Sequence, residues 1–207
     1  MPNFSLEKQI KGCVIGLDEV GRGPLAGPVV SCGCVFNKMD EKDEFSKFIL
    51  DSKKLSSKNR QFSFKYLQSL KKENIIDYNL GIATVHEIDS LNILEATKLS
   101  MRRAVDKFSF NRATLLIDGN FILIHNKYIE KPVIKGDQVS LSIAAASIIA
   151  KVHRDRLMRI LGAKFKNFGW DKNAGYGTKK HIDEIRKIGP TIHHRKTFEP
   201  IKSLIHS

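Results

Sequence analysis

Apolar residues fall along this chain in short runs and helical stripes that alternate with one another. Residues 13–17 form a compact apolar run ending in Asp18-Glu19, which reads as a buried strand. A Gly/Pro-rich turn over residues 21–28 leads to a second apolar run at 29–36, so the two strands pair as a hairpin. Residues 37–47 are charged and read as a loop. Ser56 can cap a helix over 56–71, in which Phe64, Leu67 and Leu70 recur at helical spacing. Residues 75–82 suit a strand. Residues 91–108 predict one long helix with Leu91, Leu94, Met101, Val105 and Phe108 as its buried stripe. A short β-branched and leucine run at 114–117 is stopped by Asp118-Gly119-Asn120, and residues 132–134 can add another short strand. Residues 139–161 predict a long helix whose alanine-rich first half would let it lie close to a sheet. Residues 179–187 predict a last helix, ended by Gly189-Pro190. Together these elements specify an α/β fold with an antiparallel start and parallel crossovers later.

Charge changes the picture more than length does. The 207 residues suit one domain with a helical appendage. The net charge is +13, and the isoelectric point is about 9.7. Such a balance draws polyanions, nucleic acid foremost, although a lysine-rich soluble surface carries the same charge. Cys13, Cys32 and Cys34 lie in apolar runs and lack disulfide or zinc spacing, as expected of core thiols in a reducing compartment. No His–Cys arrangement has zinc spacing. Residues 1–9 are not a secretory signal and no run is long enough to cross a membrane, so a cytoplasmic protein, monomeric by default, is expected.

Four acids carry candidate chemistry: Asp18, Glu19, Asp118 and Asp137. Asp18 and Asp118 both stand where a short apolar strand runs out, and sites of open α/β sheets form beyond strand ends. Neighbouring carboxylates repel unless a cation compensates, and hard oxygen ligands suit Mg²⁺ or Mn²⁺. Each acid also has a plainer reading. Asp18-Glu19 fits an exposed strand end, Asp118-Gly119-Asn120 a turn, and Asp137 a helix N-cap. Asp155, four residues after Lys151, is a further acid at ion-pair spacing.

The surrounding motifs decide among these. Gly16-Leu17-Asp18-Glu19-Val20-Gly21-Arg22-Gly23-Pro24-Leu25-Ala26-Gly27-Pro28-Val29 closely resembles the N-terminal signature of the ribonuclease HII family. Asp51-Ser52-Lys53-Lys54-Leu55-Ser56, Ile117-Asp118-Gly119, Lys135-Gly136-Asp137 and the helix from Ala144 to Arg156 resemble its next blocks, in order. Gly175-Tyr176-Gly177-Thr178 and His194-Arg195-Lys196-Thr197-Phe198 resemble its last two. The resemblance implies a ribonuclease-H-like mixed sheet flanked by helices over about residues 11–165, and a small C-terminal helical part over about 166–207 that contacts substrate. It implies a four-carboxylate, two-metal site of Asp18, Glu19, Asp118 and Asp137, with Asp137 and not Asp155 as the fourth acid.

The implied activity is endonucleolytic cleavage of RNA in RNA–DNA hybrids and at single ribonucleotides embedded in duplex DNA. Its products would be 5′-phosphate and 3′-hydroxyl ends. Gly21-Arg22-Gly23 would let the backbone approach sugar and phosphate closely, and Tyr176 would pack near the 2′-hydroxyl. Lys53, Lys54 and Lys151 are phosphate-contact candidates, and Arg154, Arg156, Arg159, Lys164 and Lys166 could track the nucleic-acid backbone. His194 and Arg195 read as structural or outer-shell. The sister ribonuclease HIII group carries an extra N-terminal domain, for which the dozen residues before the first strand leave no room. A non-catalytic hybrid-binding protein would have no need of the four acids.

Overall fold

The computed structural model describes residues 1–39, 44–49 and 56–206. A five-stranded mixed sheet is built from β1 (Val14–Val20), β2 (Val29–Phe36), β3 (Ile76–Ala83), β4 (Thr114–Asp118) and β5 (Ile129–Val133), in the order β3-β2-β1-β4-β5. β1, β2 and β3 pair antiparallel; β1–β4 and β4–β5 are parallel. The antiparallel start and later parallel crossovers thus stand as the alternation predicts. β1 runs three residues past the expected boundary, through Asp18 and Glu19 to Val20, because β2 continues to pair with it there. Its pairing to β4 ends earlier, at Leu17↔Ile117.

The helices are α1 (Ser5–Lys8), α2 (Ser57–Lys72), α3 (Val85–Leu91), α4 (Ile93–Val105), α5 (Leu141–Lys164), α6 (Trp170–Asn173), α7 (Lys179–Ile188) and α8 (Ile201–His206). α5 covers one face of the sheet, where its first ten residues are all buried. Cys32, Cys34, Phe64, Leu67, Ala144, Ala145 and Ile148 belong to the core on this side. α4 covers the other face, packing Met101 and Val105 with Ile15, Leu17, Leu115 and Ile117. The alanines bring α5 close, and Gly16 of β1 brings it closer still. A β-carbon on Gly16 would lie 2.3 Å from the carbonyl carbon of Ser142 and 2.4 Å from the nitrogen of Ile143.

Several expectations need correction. The helix expected over 91–108 is shorter, Ile93–Val105, and Leu91 instead ends a separate helix, α3, that precedes it. Asn92 adopts φ 71° and accepts hydrogen bonds from the Leu94 and Glu95 amides, ending α3 and starting α4 afresh. Leu91 and Leu94 consequently leave the expected stripe and are exposed. The charged loop over 37–47 contains a 3₁₀ turn, Glu44–Lys47. Arg154 does not belong to a surface basic track; it is fully buried and holds backbone carbonyls. The first nine residues, read from the sequence only as not a secretory signal, include α1, which buries Glu7. The Glu7 carboxylate accepts from both hydroxyls of Ser140 and Ser142, at 2.6 and 2.7 Å, and from the Ser142 amide at 3.0 Å. No helix among the described residues is long and apolar enough to cross a membrane.

Candidate active site

Side-chain alternation along β1 and β4 sets the positions of the acids. In β1, Gly16 faces α5 and Leu17 faces α4, so Asp18 emerges on the α5 face and Glu19 on the opposite one. In β4, Leu115 and Ile117 face α4 while Leu116 packs on Ile143 of α5, so Asp118 also emerges on the α5 face. Leu17 and Ile117 are direct partners, and Asp18 and Asp118 are the next residues of two parallel neighbours. They stand side by side where the β1–β4 pairing runs out, Asp118 as the last residue of β4.

Asp137 is delivered to the same place by α5. The turn Gly136–Gln138 immediately precedes that helix. Lys135 takes a left-handed conformation, φ 54°, and the Gly136 amide donates to Asp118 Oδ1 at 2.7 Å. This bond ties the end of β4 to the residue beside Asp137, which is buried. Ser140, and not Asp137, caps α5: its hydroxyl accepts from the Ile143 amide at 3.2 Å. The plain capping explanation for Asp137 therefore fails. Asp18 is buried and accepts from the Glu19 amide at 2.7 Å, while Glu19 pairs with Arg22 at 3.4 Å.

Chemically the donor set fits a hard divalent cation, since all four side chains are carboxylates. Asp18, Asp118 and the Asp137 turn are brought together; Glu19 leaves β1 on the other face. Among the described residues, no group of three or more His, Cys, Asp or Glu side chains is already gathered tightly enough to hold an ion. Asp155 lies elsewhere, paired with Lys151 at 2.7 Å and Arg60 at 3.7 Å.

The loop after β1 carries the other candidates. Gly21 has φ 96°, and a β-carbon there would lie 2.1 Å from Arg154 Nε, so only glycine fits. Two buried arginines hold this loop. Arg195 donates to the carbonyls of Gly21, Arg22 (2.7 Å) and Gly27 (2.8 and 3.1 Å). Arg154 donates to Pro28, Ala26 and Ala174 at 2.9, 3.0 and 2.9 Å. Burial pulls the Arg154 guanidinium down to about 10 and that of Arg195 to about 9, which leaves both charged at neutral pH. Arg22 and Gly23 stay exposed, and Tyr176, 49 % exposed, comes over them. Its Cε1 is 3.6 Å from where a Gly23 β-carbon would be.

Beneath Tyr176 lies a neutral buried network that the sequence did not disclose as such. The His181 Nδ1–H donates to the Tyr176 carbonyl at 2.8 Å. Its Nε2 accepts from Trp170 Nε1–H and from His194 Nε2–H, each at 3.0 Å. His194 Nδ1 in turn accepts from the Thr191 amide at 2.8 Å. Desolvation, with His181 and His193 nearby, pushes the His194 imidazole down to about 3. His194 and Arg195 are thus structural supports, as expected of them. The Asp51 to Leu55 stretch with Lys53 and Lys54 lies outside the described residues.

Known proteins share both sequence and fold with this chain. The family described as Ribonuclease HII matches residues 15–200. The ribonuclease HII of Wolbachia sp. subsp. Brugia malayi (strain TRS) is 48 % identical, over 97 % of this chain and 94 % of that protein. The crystal structure of ribonuclease H2 from Pyrococcus horikoshii OT3 superposes with a TM-score of 0.72 at 26 % identity, covering 94 % of this chain and 98 % of that one. Bst-RNase HIII in complex with Mn²⁺ shares the fold, with a TM-score of 0.65 at 17 % identity over 94 % of this chain and 69 % of its own. The ribonuclease-H-like mixed sheet, the ordered motifs and these matches agree: the chain belongs to the ribonuclease HII family.

Proposed function

We propose that this chain hydrolyses the RNA strand of RNA–DNA hybrids and incises duplex DNA at single embedded ribonucleotides, with Asp18, Glu19, Asp118 and Asp137 as its catalytic and metal-binding acids. It is an endonuclease of the ribonuclease H class. The observation that carries the site assignment is the meeting of Asp18 and Asp118 on adjacent parallel strand ends, with the Asp137 turn bonded to Asp118 Oδ1. These acids would hold Mg²⁺ or Mn²⁺, two ions in all, and the metal would supply positive charge that favours attack by water and departure of the 3′-oxygen. The acids contribute a fixed array of negative charge, and Gly136 and the β1–β4 pairing hold it still. The products carry 5′-phosphate and 3′-hydroxyl ends.

Ribose is told from deoxyribose by its 2′-hydroxyl, which both donates and accepts. Gly21, Arg22 and Gly23 bring main chain up to the ribonucleotide, and Tyr176 packs against the same sugar. Arg22, Lys53 and Lys151 contact flanking phosphates; Lys151 does so while sharing its ammonium with Asp155. The part over about 166–207 supports and supplies these contacts through Tyr176 and Arg195. The enzyme works as a monomer in the cytoplasm.

A labelled DNA duplex with one ribonucleotide, incubated with Mg²⁺, Mn²⁺ or EDTA, tests the reading. Metal-dependent cutting on the 5′ side of the ribonucleotide is expected, and Asp118→Asn should abolish it while retaining the fold, because an amide oxygen can still accept from Gly136. Products ending in 2′,3′-cyclic phosphate would contradict the mechanism.

A further inference from the structure

Outside the acid cluster, a strongly charged cleft of about 500 Å³ lies between α2, α5 and α6. Arg60, Lys151, Arg156, Arg159 and Lys172 line it, with Asp155 and Asp171 as its acids. Asp155 already serves Lys151 and Arg60, at 2.7 and 3.7 Å. Asp171 stands against the three remaining cations, Arg156, Arg159 and Lys172, so the cleft keeps a net positive charge that favours an anion. The walls are firm. Buried Trp170 seats α6 against Met158 and Leu161 of α5, and the Arg156 guanidinium lies 4.9 Å from the centre of the Phe64 ring, which fixes it over α2. The cleft is also continuous with the ribonucleotide-reading loop. Ala174 lines it, and the chain runs on directly through Gly175 to Tyr176 beside Gly23.

We infer that this cleft holds backbone phosphates of the substrate duplex away from the cut, so that Arg156 and Lys172 set affinity without reading sequence. The inference rests on the nucleic-acid substrate proposed above. Phosphates occur roughly every 3.4 Å of helix rise along each strand, and each one neutralised makes log K fall by about 0.9 per unit of log salt. A rigid multi-cation cleft leading away from Tyr176 is what a duplex extending beyond its cut site would meet.

The test is fluorescence anisotropy in EDTA, over a range of KCl, with a labelled DNA duplex roughly two helical turns long containing one ribonucleotide. The Arg156→Ala/Lys172→Ala protein should bind roughly tenfold more weakly near physiological salt, with a salt slope smaller by about two. Lys127→Ala/Lys131→Ala, which removes the same charge at the far edge of the sheet, should change the slope by much less. Both cleft side chains are exposed, and unchanged thermal unfolding would certify the fold. An unchanged slope, or equal losses in the two double variants, overturns the proposal. So does weaker binding of inorganic phosphate with duplex affinity intact, which would make the cleft a free-anion site. A wild-type protein that binds the duplex in this manner but never cuts it would sink the nuclease reading instead.

Discussion

Replacing Arg195 by lysine keeps the formal charge and removes the fork. The guanidinium reaches Gly21, Arg22 and Gly27 carbonyls from three nitrogens, in a site with no exposure to solvent. One ammonium on a flexible stem cannot span all three acceptors. At least one buried carbonyl is left unmet, at about 1–3 kcal/mol, and one or more charge-assisted bonds are lost at about 1.5–3 kcal/mol each. These terms overlap because the acceptors share one loop, so a net loss of about 2–4 kcal/mol is expected. Burial that draws the arginine down to about 9 acts on a group with a much higher intrinsic value; a lysine placed there would part with its proton far more readily. With a urea dependence of about 2 kcal/mol per molar, the unfolding midpoint at pH 7 should fall by about 1–2 M. Below that transition, incision at a single ribonucleotide should fall because Gly21–Gly23 is no longer pinned. A midpoint shift under about 0.25 M would refute the reasoning, since the bonds could then contribute no more than about 0.5 kcal/mol.

Three further outcomes follow from contacts already described. Gly16→Ala drives a methyl into the backbone of Ser142 and Ile143; about 1–3 kcal/mol of overpacking and a roughly hundredfold lower kcat are expected, read by urea unfolding and hybrid cleavage. Tyr176→Ala should leave stability within about 0.5 kcal/mol, because the loop is bonded through its main chain, yet depress cutting at an isolated ribonucleotide more than cutting of a long hybrid. The third concerns acid. His194 stays neutral in the fold down to about pH 3, whereas in the unfolded chain it takes up a proton near 6.5. The unfolded state therefore binds more protons between those values, and stability falls as pH falls through that window. Going from pH 7 to 5 should remove about 2 kcal/mol by urea titration, and His194→Gln should flatten the slope. A wild-type profile that is level from 7 to 5 would count against the neutral network.

Much of this was legible in residue order because the signals were local. Ser56 precedes a helical stripe and does cap it, and Gly189 ends α7 with φ 78°. The strand runs were legible too, since both faces of β1 and β4 are covered and their apolar runs are continuous. The break at Asn92 was not, because Leu91 and Leu94 keep helical spacing across it while the backbone turns. Arg154 was misread for a related reason. An arginine on a basic helix resembles a solvated one until the chain more than a hundred residues upstream supplies carbonyls to bury it. The hydrogen-bonded role of Glu7 depends on serines over 130 residues away. The acids themselves were marked by motif. Their meeting depends on β1–β4 register and on the Gly136 amide, which no local pattern encodes.

The grip of Arg195 on Gly21 and Arg22 spans 173 residues or more of chain. During synthesis the strand bearing Asp18 leaves the ribosome long before that guanidinium exists, and the loop beside it stays unfastened until then. The final shape of the turn between β1 and β2 is thus tied to a residue made long after it, so the strand pairings around Asp18 can form before that turn is fixed.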